Sequence, residues 1–181
     1  MTGPDGGPPG PAAAAAQQVV AGLTARRQLV AVAESLTGGL LAAALASVPG
    51  ASVVLRGGII AYATDLKASL LGVDQAVLDR HGAVSAETAL AMAEGVRARL
   101  GATFGLATTG VAGPDPAEGK PVGTVYIAAT RGDTGPGTRQ TDGRDHLIRR
   151  LDLAGSRNDI RGQTVTDALA LLLVMMREET R

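Results

Sequence analysis

Apolar and polar positions along the chain fall into two kinds of pattern. "LVAVAE" (residues 29–34) is a continuous apolar run of strand length, and both its faces read as buried, as in a central strand of an α/β sheet. "SVVLRGGIIAYA" (52–63), "FGLATT" (104–109) and "TVYIAAT" (124–130) also read as strands. Gly57-Gly58 marks a bulge or a close backbone approach in the first of these. A further strand is expected between residues 139 and 154, where Gly143 and several charges interrupt the pattern. The remaining periodic stretches read as helices. Val19, Val20 and Leu23 give residues 17–27 an apolar face. Leu41, Ala44, Leu45 and Val48 do the same for residues 37–48, which Pro49-Gly50 terminates. "TDLKASLLGV" (64–73) is a short helix with Thr64 or Asp65 at its start and Gly72 at its end, and residues 73–80 allow one more turn. "SAETALAMAEGVRARLG" is the clearest helix, with Ser85 as N-cap, Glu87 in the first turn, Arg97 and Arg99 near the last, and Gly101 as the stop. A last helix spans residues 157–177.

Strands and helices interleave without internal repeats. The class is α/β, a three-layer α/β/α sandwich with a mixed, mostly parallel central sheet. A chain of 181 residues suffices for one domain, expected over residues 16–178. Residues 1–15, rich in Gly, Pro and Ala and without periodicity, are expected to be a disordered tail. "GDTGPGT" (132–138) reads as a turn.

Composition narrows the function. Seventeen basic and seventeen acidic residues cancel, which gives no basic face for a nucleic-acid backbone. One Phe, two Tyr and no Trp leave little for base stacking. No Cys means no disulfide frame and no thiolate chemistry. The start lacks the charged and apolar regions of a signal peptide, and "ALALLLVMM" is too short to span a bilayer. A soluble cytoplasmic protein is expected, with no membrane partner and no nucleic-acid partner.

In an open α/β sheet, ligands bind beyond the carboxyl ends of the strands. Polar, glycine-rich segments sit at such ends: "ESLTGG" (34–39), "YATDLK" (62–67) and "TTGVAGP" (108–114). Ser35, where a strand gives way to a helix, is a candidate nucleophile, with backbone N–H groups at the turn to stabilise an oxyanion. The plainer reading, favoured by this segment alone, makes Ser35 or Thr37 simply an N-cap. Gly38 and Gly39 permit close approach of a ligand, or only close helix–strand packing. Lys67, in the first turn of a short helix, is the better candidate base, because the helix dipole and burial both disfavour its ammonium form. Tyr62 is placed to relay the proton or orient the pair. The plainer alternatives are a solvated Lys67 and a Tyr62 that fills core space. His81 and His146 adjoin no strand-end motif and make a poor metal site, so no metal or cofactor is expected. "GPDPAEGKPVGT" fails as a phosphate loop: Pro121 follows Gly-Lys, and a strand comes next where a helix is required. Lys120 is therefore a loop residue. Thr109 and Gly110 offer a hydroxyl and N–H groups suited to an anion or an amide.

"AESLTGG", "GGIIAYATDLKASLLGV", "HGAVSAETA", "TTGVAGP", "KPVGTVYIA" and "GSRNDIRGQTVTDALALL", in that order, resemble the CinA carboxy-terminal domain family. Its enzymatic members are nicotinamide mononucleotide deamidases of the PncC type. The resemblance runs from about residue 17 to residue 176. It implies the three-layer fold and an amidohydrolase that converts nicotinamide mononucleotide to nicotinic acid mononucleotide with release of ammonia. The family's serine, tyrosine and lysine fall on Ser35, Tyr62 and Lys67. Its arginine near the start of the last helix falls on Arg157, for the substrate phosphate and expected to act across a subunit interface; Thr37, Gly38, Gly39, Thr109 and Gly110 complete the expected substrate-binding set. The family suggests a homo-oligomer, dimeric or larger. Many members have Cys where this chain has Leu36, and Ser156 replaces the usual acidic or polar residue of the Gly-x-Arg motif. Some relatives carry an amino-terminal domain resembling molybdopterin-binding proteins; the present sequence does not include it, so that domain's pyrophosphatase activity is not expected. The alternative functions are a non-catalytic nucleotide-binding or competence-related interaction module, and an amidase for another small amide.

Overall fold

The computed structural model describes residues 10–132 and 145–178. Helix α1 (Pro11–Arg26) comes first. It begins earlier than the expected residue 17, because Pro11 suits a first helical position and an alanine run of high helix propensity follows it. Residues 11–15 thus belong to a helix, and the rest of the expected tail, residues 1–9, lies outside the described residues. Strand β1 (Val30–Glu34) is buried along its whole length, as expected.

Helix α2 (Leu40–Ala46) is shorter than the pattern suggested. Gly38 and Gly39 have φ of 57° and 101°, so the turn after Ser35 ends in two left-handed residues before the helix can start. A 3₁₀ turn (Ala51–Val53) leads to β2 (Leu55–Ile60). The register of β2 against β1 slips by one residue at Arg56, and a Cβ on Gly58 would stand 2.7 Å from Val32 Cγ2. Both readings of the Gly57-Gly58 pair therefore hold. Then come α3 (Thr64–Leu71), α4 (Gln75–His81), α5 (Ala86–Leu100), β3 (Phe104–Gly110), β4 (Thr124–Arg131), β5 (His146–Asp152) and α6 (Arg157–Glu178). Ser85 caps α5 by accepting the Thr88 N–H, as expected. The expected turn over residues 132–138 lies, but for Gly132, outside the described residues.

The sheet order is β2-β1-β3-β4-β5. β1 pairs in parallel with β2 and β3, whereas β4 runs antiparallel to both β3 and β5. Only β4 is reversed in direction, so the sheet is mixed with four of its five strands running the same way, as expected. Helices α1, α2 and α6 pack together on one face, and α3, α4 and α5 on the other. Alternation along β1 serves both layers: Val30 and Val32 join the core under α1, α2 and α6, while Ala31 and Ala33 join the core under α5.

Candidate active site

The same alternation continues past the end of β1 and divides two adjacent polar residues between the layers. Glu34 faces α2, and its carboxyl accepts the Gly39 and Leu41 N–H groups at 2.9 and 3.0 Å and the Ala42 N–H at 2.8 Å. These donors at a helix start would otherwise lack partners. Ser35 faces the other layer. Its N–H donates to the Thr108 carbonyl at 3.0 Å, which fixes its backbone to β3.

Lys67 meets Ser35 on that side. After β2, Ala61 is tied to β1 through its N–H on the Glu34 carbonyl, and α3 then begins at Thr64. Side chains of a helix lean toward its N-terminus, so Lys67 reaches back to the strand ends. Its Nζ lies 3.1 Å from Ser35 Oγ and donates to the Ala61 carbonyl at 2.9 Å. Lys67 is only 1% exposed. Burial pushes its proton affinity below that of an ordinary lysine, opposed by the charges of Glu118 and Asp65.

The pair opens into a cleft of about 240 Å³. Thr109 and Gly110 form its β3 wall. The Thr109 hydroxyl is committed to the Ala83 carbonyl at 2.6 Å. Even-numbered residues of β3 turn their backbone groups toward β1, as the Phe104 N–H on Leu29 and the Thr108 carbonyl on Ser35 do. Gly110 shares that parity and lies beyond the end of β1, so its N–H faces the cleft. On the opposite wall Glu118 accepts the Ala83 and Val84 N–H groups, both at 3.1 Å. At the mouth, Arg157 Nη2 donates to the Tyr62 hydroxyl at 2.6 Å, and Nη1 donates to the Gly113 carbonyl. Tyr62 is 55% exposed.

The structure thus brings together Ser35, Lys67, Tyr62, Thr109, Gly110 and Arg157, all from this one chain. Tyr62 makes its hydrogen bond with Arg157; among the described residues its hydroxyl has none with Ser35 or Lys67. Thr37, Gly38 and Gly39, expected in the substrate-binding set, are not among the residues lining the cleft. The Thr37 hydroxyl is buried against that of Thr108 at 2.8 Å, and the Gly39 N–H belongs to Glu34. Part of the turn's supply of N–H groups is therefore already used. His81 lies 3.5 Å from Glu87, and among the described residues no cluster of three or more His, Asp or Glu side chains could hold a metal ion. No helix among them is long and apolar enough to cross a membrane.

Sequence reasoning did not single out Glu34, Glu118 or Arg161. Glu34 had a signal in its odd–even opposition to Ser35. Arg161, one helical turn after Arg157, donates to the Leu36 and Thr37 carbonyls at 3.0 and 2.9 Å. Glu118 depends on a left-handed backbone, φ 52°, that the sequence does not announce.

Residues 12–176 match the model of the CinA C-terminal domain. A CinA-like protein of Frankia casuarinae is 55% identical over 87% of this chain and 34% of its own length. A putative competence-damage inducible protein of Desulforamulus reducens is 49% identical over 83% of this chain and 33% of its own. The chain thus spans about a third of the length of the curated relatives it matches. Among solved structures, the competence/damage inducible protein CihA from Agrobacterium tumefaciens superposes with a TM-score of 0.83 at 36% identity, covering 92% of this chain and 96% of that one. A CinA superfamily protein from Klebsiella pneumoniae gives 0.82 at 28% identity, covering 92% and 98%. With a strand-end site of this build, a family match across nearly all the described residues and relatives at about half identity, the chain belongs to the CinA C-terminal domain family.

Proposed function

We propose that this domain is a serine amidohydrolase that deamidates nicotinamide mononucleotide to nicotinic acid mononucleotide. The observation that carries the reading is the buried Lys67 Nζ at 3.1 Å from Ser35 Oγ. A serine hydroxyl is a weak nucleophile until a base takes its proton. A neutral amine has one lone pair and two N–H groups. One N–H satisfies the Ala61 carbonyl, which leaves the lone pair available to the Ser35 hydroxyl. Burial favours that neutral form.

Ser35 Oγ attacks the carboxamide carbon as its proton passes to Nζ. The carbonyl electrons move onto oxygen, toward the Leu36, Thr37 and Gly110 N–H groups at the strand ends. Collapse of the tetrahedral intermediate breaks the C–N bond. The Lys67 ammonium returns its proton to the departing nitrogen, and ammonia leaves. Water then gives a proton to Nζ as it attacks the acyl ester, and Ser35 is released with its hydroxyl restored. Arg157, with donors beyond the two it spends on Tyr62 and Gly113, is the partner for the substrate phosphate. The tyrosine, in this reading, holds Arg157 and walls the nucleotide side.

The test is release of ammonia from nicotinamide mononucleotide by the purified protein, beside Ser35→Ala. Turnover by wild type and its loss in the variant are expected. Equal turnover by both proteins would remove Ser35 from the chemistry, and no turnover by wild type would end the proposal.

A further inference from the structure

Arg161 lies outside the cleft, half-buried behind the turn that follows Ser35. Its Nε and Nη2 donate to the carbonyls of two successive residues, Leu36 at 3.0 Å and Thr37 at 2.9 Å. A guanidinium is a rigid planar fork, so two such bonds fix the orientation of both peptide planes and not merely their position. The opposite edges of the planes are what matter next to a nucleophile. In a trans peptide the N–H points opposite to the carbonyl. Holding the Leu36 carbonyl toward α6 therefore directs the Thr37 N–H away from α6. The plane before it is fixed likewise, since the Ser35 carbonyl accepts the Gly38 N–H at 3.1 Å.

The turn has thus sorted its polar groups. Carbonyls go to Arg161, and the N–H groups of Gly39, Leu41 and Ala42 go to Glu34. The N–H groups of Leu36 and Thr37 have no partner among the described residues. Left-handed glycines follow directly, at φ 57° and 101°, and a glycine-rich turn of this kind can flip a peptide at small steric cost. A flipped peptide would set a carbonyl oxygen where negative charge develops.

We propose that Arg161 is a positioning residue: it locks the peptide planes after Ser35 so that the Leu36 and Thr37 N–H groups stay turned to the forming oxyanion. This rests on the serine amidohydrolase reading above. Arg161 touches no reacting atom and acts only through the turn. Its loss therefore weakens transition-state binding and leaves ground-state binding of the nucleotide nearly unchanged.

Arg161→Gln, Arg161→Lys and Arg161→Ala are compared with wild type on nicotinamide mononucleotide. Loss of an oriented oxyanion donor predicts a kcat lower by about 10²–10³-fold, with KM within about threefold. Lysine, a single point donor, restores little, and millimolar guanidinium restores part of the activity of Arg161→Ala. A raised KM with unchanged kcat overturns the proposal. So does an activity loss no larger than the unfolded fraction seen by circular dichroism. The amide proton–nitrogen spectrum gives a readout that needs no turnover: in Arg161→Gln the Leu36 and Thr37 signals shift or broaden, while those of β3 and β4 stay in place. Unmoved signals overturn the positioning role. Should wild type release no ammonia, the catalytic half falls with the amidohydrolase reading, and the spectra still decide whether Arg161 holds the turn.

Discussion

Replacing Lys67 with methionine separates what the buried amine does for the reaction from what it costs the fold. Methionine keeps an unbranched apolar stem and removes the nitrogen. The Ala61 carbonyl then loses its 2.9 Å donor, a loss of about 1–3 kcal/mol if no other donor replaces it. Against this stands relief from burying an amine that is 1% exposed, and that relief depends on pH. Burial lowers the folded-state pKa of Lys67 below the ordinary 10.5. Below the folded value both states carry the proton, and the folded chain bears the whole cost of a buried ammonium. Between the folded value and 10.5 the folded chain has shed a proton that the unfolded chain retains, so wild-type stability rises with pH. The rise reaches about 1.4 kcal/mol per pH unit inside that window and stops at its upper end. The Lys67→Met variant lacks the effect. Urea denaturation of both proteins from near pH 6 to near pH 11 should give a stability difference that moves in favour of wild type as pH rises. Groups shared by the two proteins cancel in that difference, and the Ala61 loss only offsets it. The kcat/KM of wild type should climb through the same folded pKa, while the variant falls by about 10²–10⁴-fold and loses that limb. A stability difference independent of pH would refute the depressed proton affinity of Lys67. Wild-type kcat in the variant would refute its role as base.

Arg157→Ala should raise KM for the phosphorylated nucleotide by about tenfold or more, with little change in kcat, and should erase its preference over the riboside; steady-state kinetics on both compounds check this. Glu34→Gln replaces two carboxyl oxygens by one oxygen and an amide that cannot accept, so the Ala42 or the Gly39 and Leu41 N–H groups lose their acceptor. A loss of about 1–2 kcal/mol is expected as a lower urea midpoint at unchanged m. Gly95→Ala tests packing against propensity. Alanine inside α5 should gain up to about 1 kcal/mol from helix propensity alone. Its Cβ, however, would stand 1.9 Å from the Leu71 carbonyl oxygen, so the clash wins, and a thermal melt should show a net loss of about 1–3 kcal/mol.

Much of the fold could be read from short-range pattern. The unbroken apolar run of β1 announced a strand buried on both faces, and Ser85 with Gly101 bracketed α5 to the residue. Boundaries failed where two local preferences competed. At Pro11 a Gly/Pro/Ala-rich composition suggested disorder, but proline at the first position followed by alanines is also a strong helix start, and Ala16, Val19 and Leu23 found a core to cover. At Thr37 the apolar periodicity of a helix was real, but the two glycines beside it took left-handed angles and delayed the first turn to Leu40. The sense of β4 was beyond reach: a buried strand run looks the same in either direction, and only its partners decide.

The site shows the same division between what spacing encodes and what tertiary contact decides. Glu34-Ser35 is a strand-end dipeptide, so one side chain must face α2 and the other α3. Once Glu34 takes the helix N–H groups, they are no longer free for a substrate, and Ser35 is necessarily the residue on the cleft side. That much follows from alternation alone. The missing half is which N–H groups survive unpaired, because this depends on Arg161, more than a hundred residues away in sequence, closing on the Leu36 and Thr37 carbonyls. Thr37, Gly38 and Gly39 were natural substrate-binding candidates by residue type. Their side chains and angles serve the turn itself: Thr37 anchors it to Thr108, and the glycines supply the left-handed angles. A motif at a strand end therefore specifies a site as much through the groups it removes from solvent as through those it offers.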